Sequence, residues 1–187
     1  CQTAVAALKT GKPVRIVLSR EEDMTVTSKK HPSETKIRGA LKDGKLTALD
    51  IDICYDSGAY STLSMVVLQR GIISAPGVYK CDDIKVHGTA ARTNVVPYGA
   101  YRGFGGAQVF FAIERFMDHL AEKAGLDPVD FKIANTAVQG DLTSTSGRYH
   151  FHVPIPEMTD QVMEAADYRR KQEEYSKPQD GRYRRGI

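Results

Sequence analysis

The residues best equipped for chemistry lie in one run, Pro97–Tyr98–Gly99–Ala100–Tyr101–Arg102–Gly103–Phe104–Gly105–Gly106–Ala107–Gln108. Gly103, Gly105 and Gly106 let backbone N–H groups approach something bulky and anionic. Arg102 adds a fixed cationic fork and Phe104 a flat apolar face. Such a set suits a cofactor or a planar heterocycle. Spacing alone fits a tight strand-to-helix turn equally well. The run is not a Rossmann fingerprint, because Gly103-x-Gly105-Gly106 lacks the wider glycine spacing. Nor is it a P-loop, since no Gly-Lys-Ser/Thr is present.

Arg70 is the second candidate, at the polar end of Val66–Val67–Leu68–Gln69–Arg70–Gly71. It reads either as a snorkelling surface arginine or as an anchor for a carboxylate or carbonyl oxygen of a substrate. His119 falls late in a helical stretch and is expected near the surface. His150 and His152 have strand-like spacing, but no third metal ligand stands near them. The acidic run Glu21–Glu22–Asp23 reads as a solvated turn, as does Asp82–Asp83.

These residues need elements to hold them. Thr3–Leu8 reads as a helix that Gly11 stops, and Val14–Leu18, after Pro13, as a strand. Thr35–Lys42 and Lys45–Tyr55 flank Asp43–Gly44, the pattern of a β-hairpin. Leu49, Ile51 and Ile53 alternate with Asp50 and Asp52, which gives one buried face and one wet face. Ser57–Tyr60 breaks that strand. Leu63–Ile73 has helical length and ends at Ala75–Pro76–Gly77, and Ile84–Thr93 reads as a further strand. After the glycine loop a helix is expected over Ala107–Lys123, with Val109, Ile113, Phe116 and Leu120 on one face and Gly125 as its C-terminal cap. Asp127–Pro128 opens another helix as N-cap and first residue, and Pro156–Tyr175 reads as one more. The implied class is α+β: a mixed sheet and hairpins in the N-terminal half, packed with helices mostly from the C-terminal half.

Composition is that of a globular protein with one sizeable core: 187 residues, 41% hydrophobic and 26% charged, with no tryptophan. No apolar run approaches the roughly 20 residues of a membrane span, and no membrane partner is expected. The net charge of +3 is small. No basic stripe interleaved with aromatics is present, so no nucleic-acid partner is expected. Three cysteines, Cys1, Cys54 and Cys81, without CxxC spacing argue against a disulfide scaffold or a zinc site. A reducing, cytoplasmic location is the default. A chain that opens on Cys1, and ends on Arg184–Arg185–Gly186–Ile187 as if entering a strand, is expected to be part of a longer protein.

Several segments, in order, resemble one family: Ala-Leu-Lys-Thr-Gly-Lys-Pro-Val-Arg at 7–15, Ser-Arg-Glu-Glu-Asp-Met at 19–24, His31-Pro32, Asp56 to Tyr60, Arg92 to Asn94, Ala100-Tyr-Arg-Gly-Phe-Gly-Gly106, and Asn135 through Gly140-Asp141. The chain is similar to the molybdopterin-binding subunit of the xanthine dehydrogenase / aldehyde oxidase family, the molybdenum hydroxylases, over nearly its whole length. The resemblance implies hydroxylation of an electron-poor carbon in a purine, another N-heterocycle or an aldehyde, with oxygen from water. It implies molybdopterin as cofactor, held without Cys or His side chains, and electrons leaving through 2Fe-2S clusters to FAD on partner subunits or domains. By the same resemblance Arg102, Gly103, Gly105 and Gly106 belong to the cofactor loop, with the Arg102 amide near the molybdenum. Phe104 packs on the substrate ring, and Arg70 bonds a substrate carbonyl, as in purine-oxidising members.

The chain departs from the pattern in two ways. Carbon monoxide dehydrogenases of the family carry a cysteine directly after the loop arginine, where this chain has Gly103. The family's upstream Gly-Gly-x-Phe-Gly-Gly-Lys-Glu segment and its downstream glutamate base are not within 1–187. The expectation is a partial molybdopterin-binding domain, inactive alone, completed by iron–sulfur and FAD parts and assembling as a homo-oligomer. A non-catalytic assembly module of the same fold, an aldehyde-oxidising member, and an unrelated nucleotide-binding domain are the alternatives.

Overall fold

The computed structural model describes all residues, Cys1–Ile187. The chain forms seven helices and a three-stranded mixed sheet of order β1-β2-β3, the α+β class expected. Strands β1 (Ser33–Lys42) and β2 (Lys45–Gly58) pair antiparallel, with Ile37 opposite Ile51 and Lys42 opposite Lys45. The link is the expected Asp43–Gly44 turn. Both residues have positive φ, 51° and 73°, the backbone hand that matches the twist of a two-residue hairpin. Strand β3 (Asp83–Arg92) lies parallel to β2 on its other side, with Val86 opposite Ile51. A parallel neighbour needs a crossover, which helix α3 (Ser64–Ser74) provides.

One face of the sheet is buried. Leu49, Ile51, Ile53 and Tyr55 of β2 point into a core completed by Val67 and Leu68 of α3, by α4 (Gly106–Ala124) and by Phe131 of α5 (Pro128–Ala134). Each such side chain contributes about 1.5–3 kcal/mol on burial. The opposite face carries Lys36, Arg38, Asp50, Asp52, Lys85 and His87, paired across strands at its centre. Helix α4 buries Val109, Ile113, Met117 and Ala121, a straight i, i+4 row. The expected Phe116 and Leu120 lie at the margin of that row, packed against the core but only partly buried. The Phe116 ring reaches Gly39 of β1, where a Cβ would meet it at 2.9 Å.

Three expectations are corrected. Val14–Leu18 forms no strand; Ile16 and Val17 are exposed, because β-prone side chains make a strand only where another strand pairs with them. Glu21–Asp23 is no turn but the first half of α2 (Arg20–Val26). Ser19 accepts the Glu22 N–H at 3.2 Å while the Glu22 carboxylate accepts the Ser19 N–H at 2.7 Å, a capping box. The stretch expected as one helix over Pro156–Tyr175 is two, α6 (Ile155–Ala166) and α7 (Tyr168–Ser176), parted at Asp167 with φ of 51°. The first helix, α1 (Gln2–Thr10), ends at a left-handed Gly11, and α5 starts at Asp127, whose carboxylate accepts the N–H groups of Val129 and Asp130, both as expected.

Asn135 closes the far end of the core. Its Oδ1 accepts the Leu46 N–H at 2.7 Å, and its Nδ2 donates to Phe131 O at 2.8 Å and Gly44 O at 3.1 Å. The residue is buried, so removing the amide strands a backbone donor and two acceptors. Asn135→Ala should lower unfolding stability by about 2–3 kcal/mol in urea denaturation. A loss near zero would show that the hairpin and α5 are held by apolar packing alone.

Candidate functional site

The glycine loop is anchored from three sides. Tyr98 donates its N–H to Ser57 O at 3.1 Å and accepts the Thr62 hydroxyl at 2.8 Å, and the Gly99 N–H reaches Lys29 O at 3.1 Å. Two internal turns follow, Phe104 N–H to Tyr101 O and Gly106 N–H to Gly103 O, each 2.8 Å. Gly103 and Gly105 have φ of 96° and 88°, which L side chains avoid. Gly105 also lies flat on α3, where a Cβ would be 2.3 Å from Val67 O. Phe104, between them, holds φ of 41°, a strained value for a bulky residue that costs of order 1–3 kcal/mol and clusters at functional sites. Its ring is half-buried against the core.

This geometry leaves donors unused. The N–H groups of Arg102, Gly103 and Gly105 have no acceptor in the protein, nor do those of Ala107 and Gln108 in the first turn of α4. No side chain caps that helix. Gly105 is buried, so its unpaired amide is costly unless a ligand accepts from it. The 19-residue helix α4 therefore presents its positive end uncapped. Arg102 is exposed and pairs with no carboxylate, and Lys30 likewise, its ammonium 5.5 Å from the centre of the Tyr101 ring. Arg70 is exposed on α3 immediately before Gly71, whose nitrogen is 3.2 Å from where a Gly105 Cβ would stand. The fold thus brings α3 and the loop together, and with them the segments carrying Arg70 and residues 102–106.

The histidines at 119, 150 and 152 are elsewhere. His119 faces Glu122 on α4 and His152 pairs with Glu157, all of them exposed. A buried polar group that sequence reasoning left without a role lies near the loop instead. His31 is 2% exposed, with Nε2 at 2.8 Å from the Ser64 hydroxyl and its ring stacked on Tyr55. The Gln108 amide donates to His31 O at 3.1 Å. His31 Nδ1, Ser57 Oγ and Gln108 Oε1 are buried without partners. The only sequence signal was the position of His31 before Pro32 and of Gln108 directly after the loop.

The first 136 residues match the family model of the molybdopterin cofactor-binding domain. The chain belongs to that family. It is 35% identical over 179 residues to a xanthine dehydrogenase of Emericella nidulans, covering 93% of this chain and 13% of that protein. Against the nicotinate dehydrogenase large molybdopterin subunit of Eubacterium barkeri the identity is 35% over 167 residues, covering 89% and 39%. The solved aldehyde oxidoreductase of Desulfovibrio gigas superposes with a TM-score of 0.81 at 34% identity, covering 92% of this chain and 19% of that one. The chain thus spans well under half the length of these relatives. An anionic, oxygen- and sulfur-rich cofactor fits the loop on physical grounds: unpaired amides, one of them buried, an open helix N-terminus and two unneutralised cations all favour an acceptor-rich ligand.

Burial pushes His31 below its ordinary pKa of 6.5, against a smaller upward pull from the Asp56 charge. The unfolded chain therefore binds a proton more readily than the folded one, so stability is present above about pH 6.5 and falls as the medium becomes more acid. His31→Gln should flatten this part of the stability–pH curve measured by chemical denaturation. An unchanged slope between pH 7 and 5 would assign the loss to other groups.

Proposed function

We propose that this chain forms one wall of the active site of a xanthine dehydrogenase-like molybdenum hydroxylase that oxidises a purine or another N-heterocycle with oxygen from water. The observation that carries the reading is the close contact of α3 at Gly71, next to Arg70, with the loop whose Arg102, Gly103 and Gly105 amides are unpaired. When bound, the molybdopterin supplies the redox centre that receives the substrate's electrons. The amides of Arg102, Gly103 and Gly105 would hold acceptor atoms of that cofactor, with the Arg102 amide toward its metal. Phe104 orients the flat substrate, because an aromatic face positions a heterocycle without competing for its polar edge. Arg70 donates to a substrate carbonyl and opposes negative charge that develops there.

In this reading the glutamate base comes from sequence beyond these 187 residues, as do the 2Fe-2S and FAD parts that carry electrons onward, and the chain alone turns over nothing. The complete protein is a cytoplasmic homo-oligomer. No helix here is long and apolar enough to cross a membrane. An aldehyde-oxidising activity is the second reading, favoured by the likeness to the Desulfovibrio gigas aldehyde oxidoreductase; Arg70 weighs against it, since an aldehyde offers no second carbonyl to bind.

The natural full-length protein, loaded with molybdenum, decides between them through kcat/KM for xanthine, nicotinate and benzaldehyde. A heterocycle should be preferred, and Arg70→Met should reduce its kcat/KM by about a hundredfold while aldehyde turnover stays within a few-fold. Preference for the aldehyde with Arg70→Met silent would transfer the assignment to the second reading, and a molybdenum-loaded protein inert toward all three would refute both.

A further inference from the structure

In six of the seven helices the carbonyl just before the first turn accepts the N–H four residues on, from Cys1 and Val5 in α1 to Asp167 and Lys171 in α7. Helix α4 is the exception. Its Gly105 carbonyl takes the phenolic hydroxyl of Tyr55 at 2.7 Å, and the Val109 N–H is not given to it. The tyrosine is 0% exposed, its ring stacked on His31 at 5.8 Å between centroids. Burial pushes its ionisation up to about 12, so the hydroxyl remains a donor near neutral pH.

Space for that hydroxyl is made by glycine. A Cβ on Gly71 would stand 2.6 Å from the Tyr55 oxygen, and one on Gly105 would stand 2.3 Å from Val67 O. Strand β2, helix α3 and the loop therefore meet around a single oxygen. Arg70 precedes Gly71 and Phe104 precedes Gly105, so both substrate-facing segments lie one residue from that junction. A side chain serving only to fill the core would need no hydroxyl, since the ring does the packing. What the oxygen adds is one donor directed at the carbonyl that a regular helix start would give to its own backbone.

We infer that Tyr55 is a positioning residue: its hydroxyl, bonded to Gly105 O beside Gly71, fixes the cofactor-facing first turn of α4 relative to Arg70. This rests on the function proposed above. The tyrosine touches neither cofactor nor substrate and acts through the loop, so its loss should change geometry more than binding.

The test is Tyr55→Phe in the natural full-length protein, which keeps the ring and removes the oxygen. Amide exchange should rise about fivefold in the peptide spanning 101–108, which contains the bonded amides of Phe104 and Gly106, the factor matching one hydrogen bond. Exchange in β2 and β3 and the molybdenum content should be unchanged, and kcat for the heterocycle should fall about tenfold with KM within twofold. Gly71→Ala, which crowds the hydroxyl with the ring still present, should raise exchange in the same peptide. Unchanged exchange over 101–108 in both variants, or a uniform rise through β2, β3 and α4, would make Tyr55 a core filler and overturn the inference. Exchange is read without substrate, so a wild-type protein that oxidises no heterocycle refutes the proposed function through activity, independently of the Tyr55 result.

Discussion

A three-stranded sheet has one central strand, and here the inward row of that strand has to be covered by two helices at once. Leu49, Ile51, Ile53 and Tyr55 are each 2% exposed or less, and α3 and α4 share the task of covering them. Packing both helices over one strand brings the start of α4 against the middle of α3, at Val67 and Gly71, because each can only fill the space the other leaves. Glycines at 71 and 105 let them close to backbone distance. The meeting point of α3 with the start of α4 is thus a consequence of burying β2, and the candidate site is built at that meeting point. Disturbing β2 would disturb the site before any residue of the loop were touched.

The loop is held in a state that the protein alone does not satisfy. Phe104 is in a left-handed conformation that costs of order 1–3 kcal/mol, and Gly105 buries an amide with no acceptor. Water can satisfy the exposed amides of Arg102 and Ala107 at little cost, but not the buried one. A ligand with acceptor atoms relieves that cost and gains from the helix dipole and Arg102 together. The uncapped helix end and the strain are therefore coupled: a capping side chain would stabilise the domain by itself and occupy the position we propose for the ligand.

Much of this was legible from local chemistry. Asp43–Gly44 must turn because both residues tolerate positive φ, and Asp127–Pro128 must start a helix because one supplies acceptors and the other a preset φ. The glycine loop was legible as a place of close approach, though not as a site rather than a turn, because glycine spacing records backbone freedom and not what uses it. The capping box at Ser19–Glu22 was present in the sequence but was masked by a run of three acids that reads as solvated. Val14–Leu18 could not be read correctly, since β-propensity is a statement about a partner strand. The break at Asp167 was hidden because α6 and α7 each continue a helical pattern, and only the backbone reversal at one residue separates them.

Tyr55 was the least legible residue of all, and for a physical reason. On the strand it occupies an ordinary inward position, where any large apolar side chain satisfies the alternation. Its distinguishing atom is an oxygen whose partner lies 50 residues away, across a crossover that no local pattern encodes. The same holds for His31 and Ser64, whose bond spans 33 residues. Residues suited to carry a ligand, the role we propose for Arg102, reveal themselves by type, because a ligand's chemistry selects them. Residues that aim those carriers are selected only by distance, and distance exists only once β2 is buried.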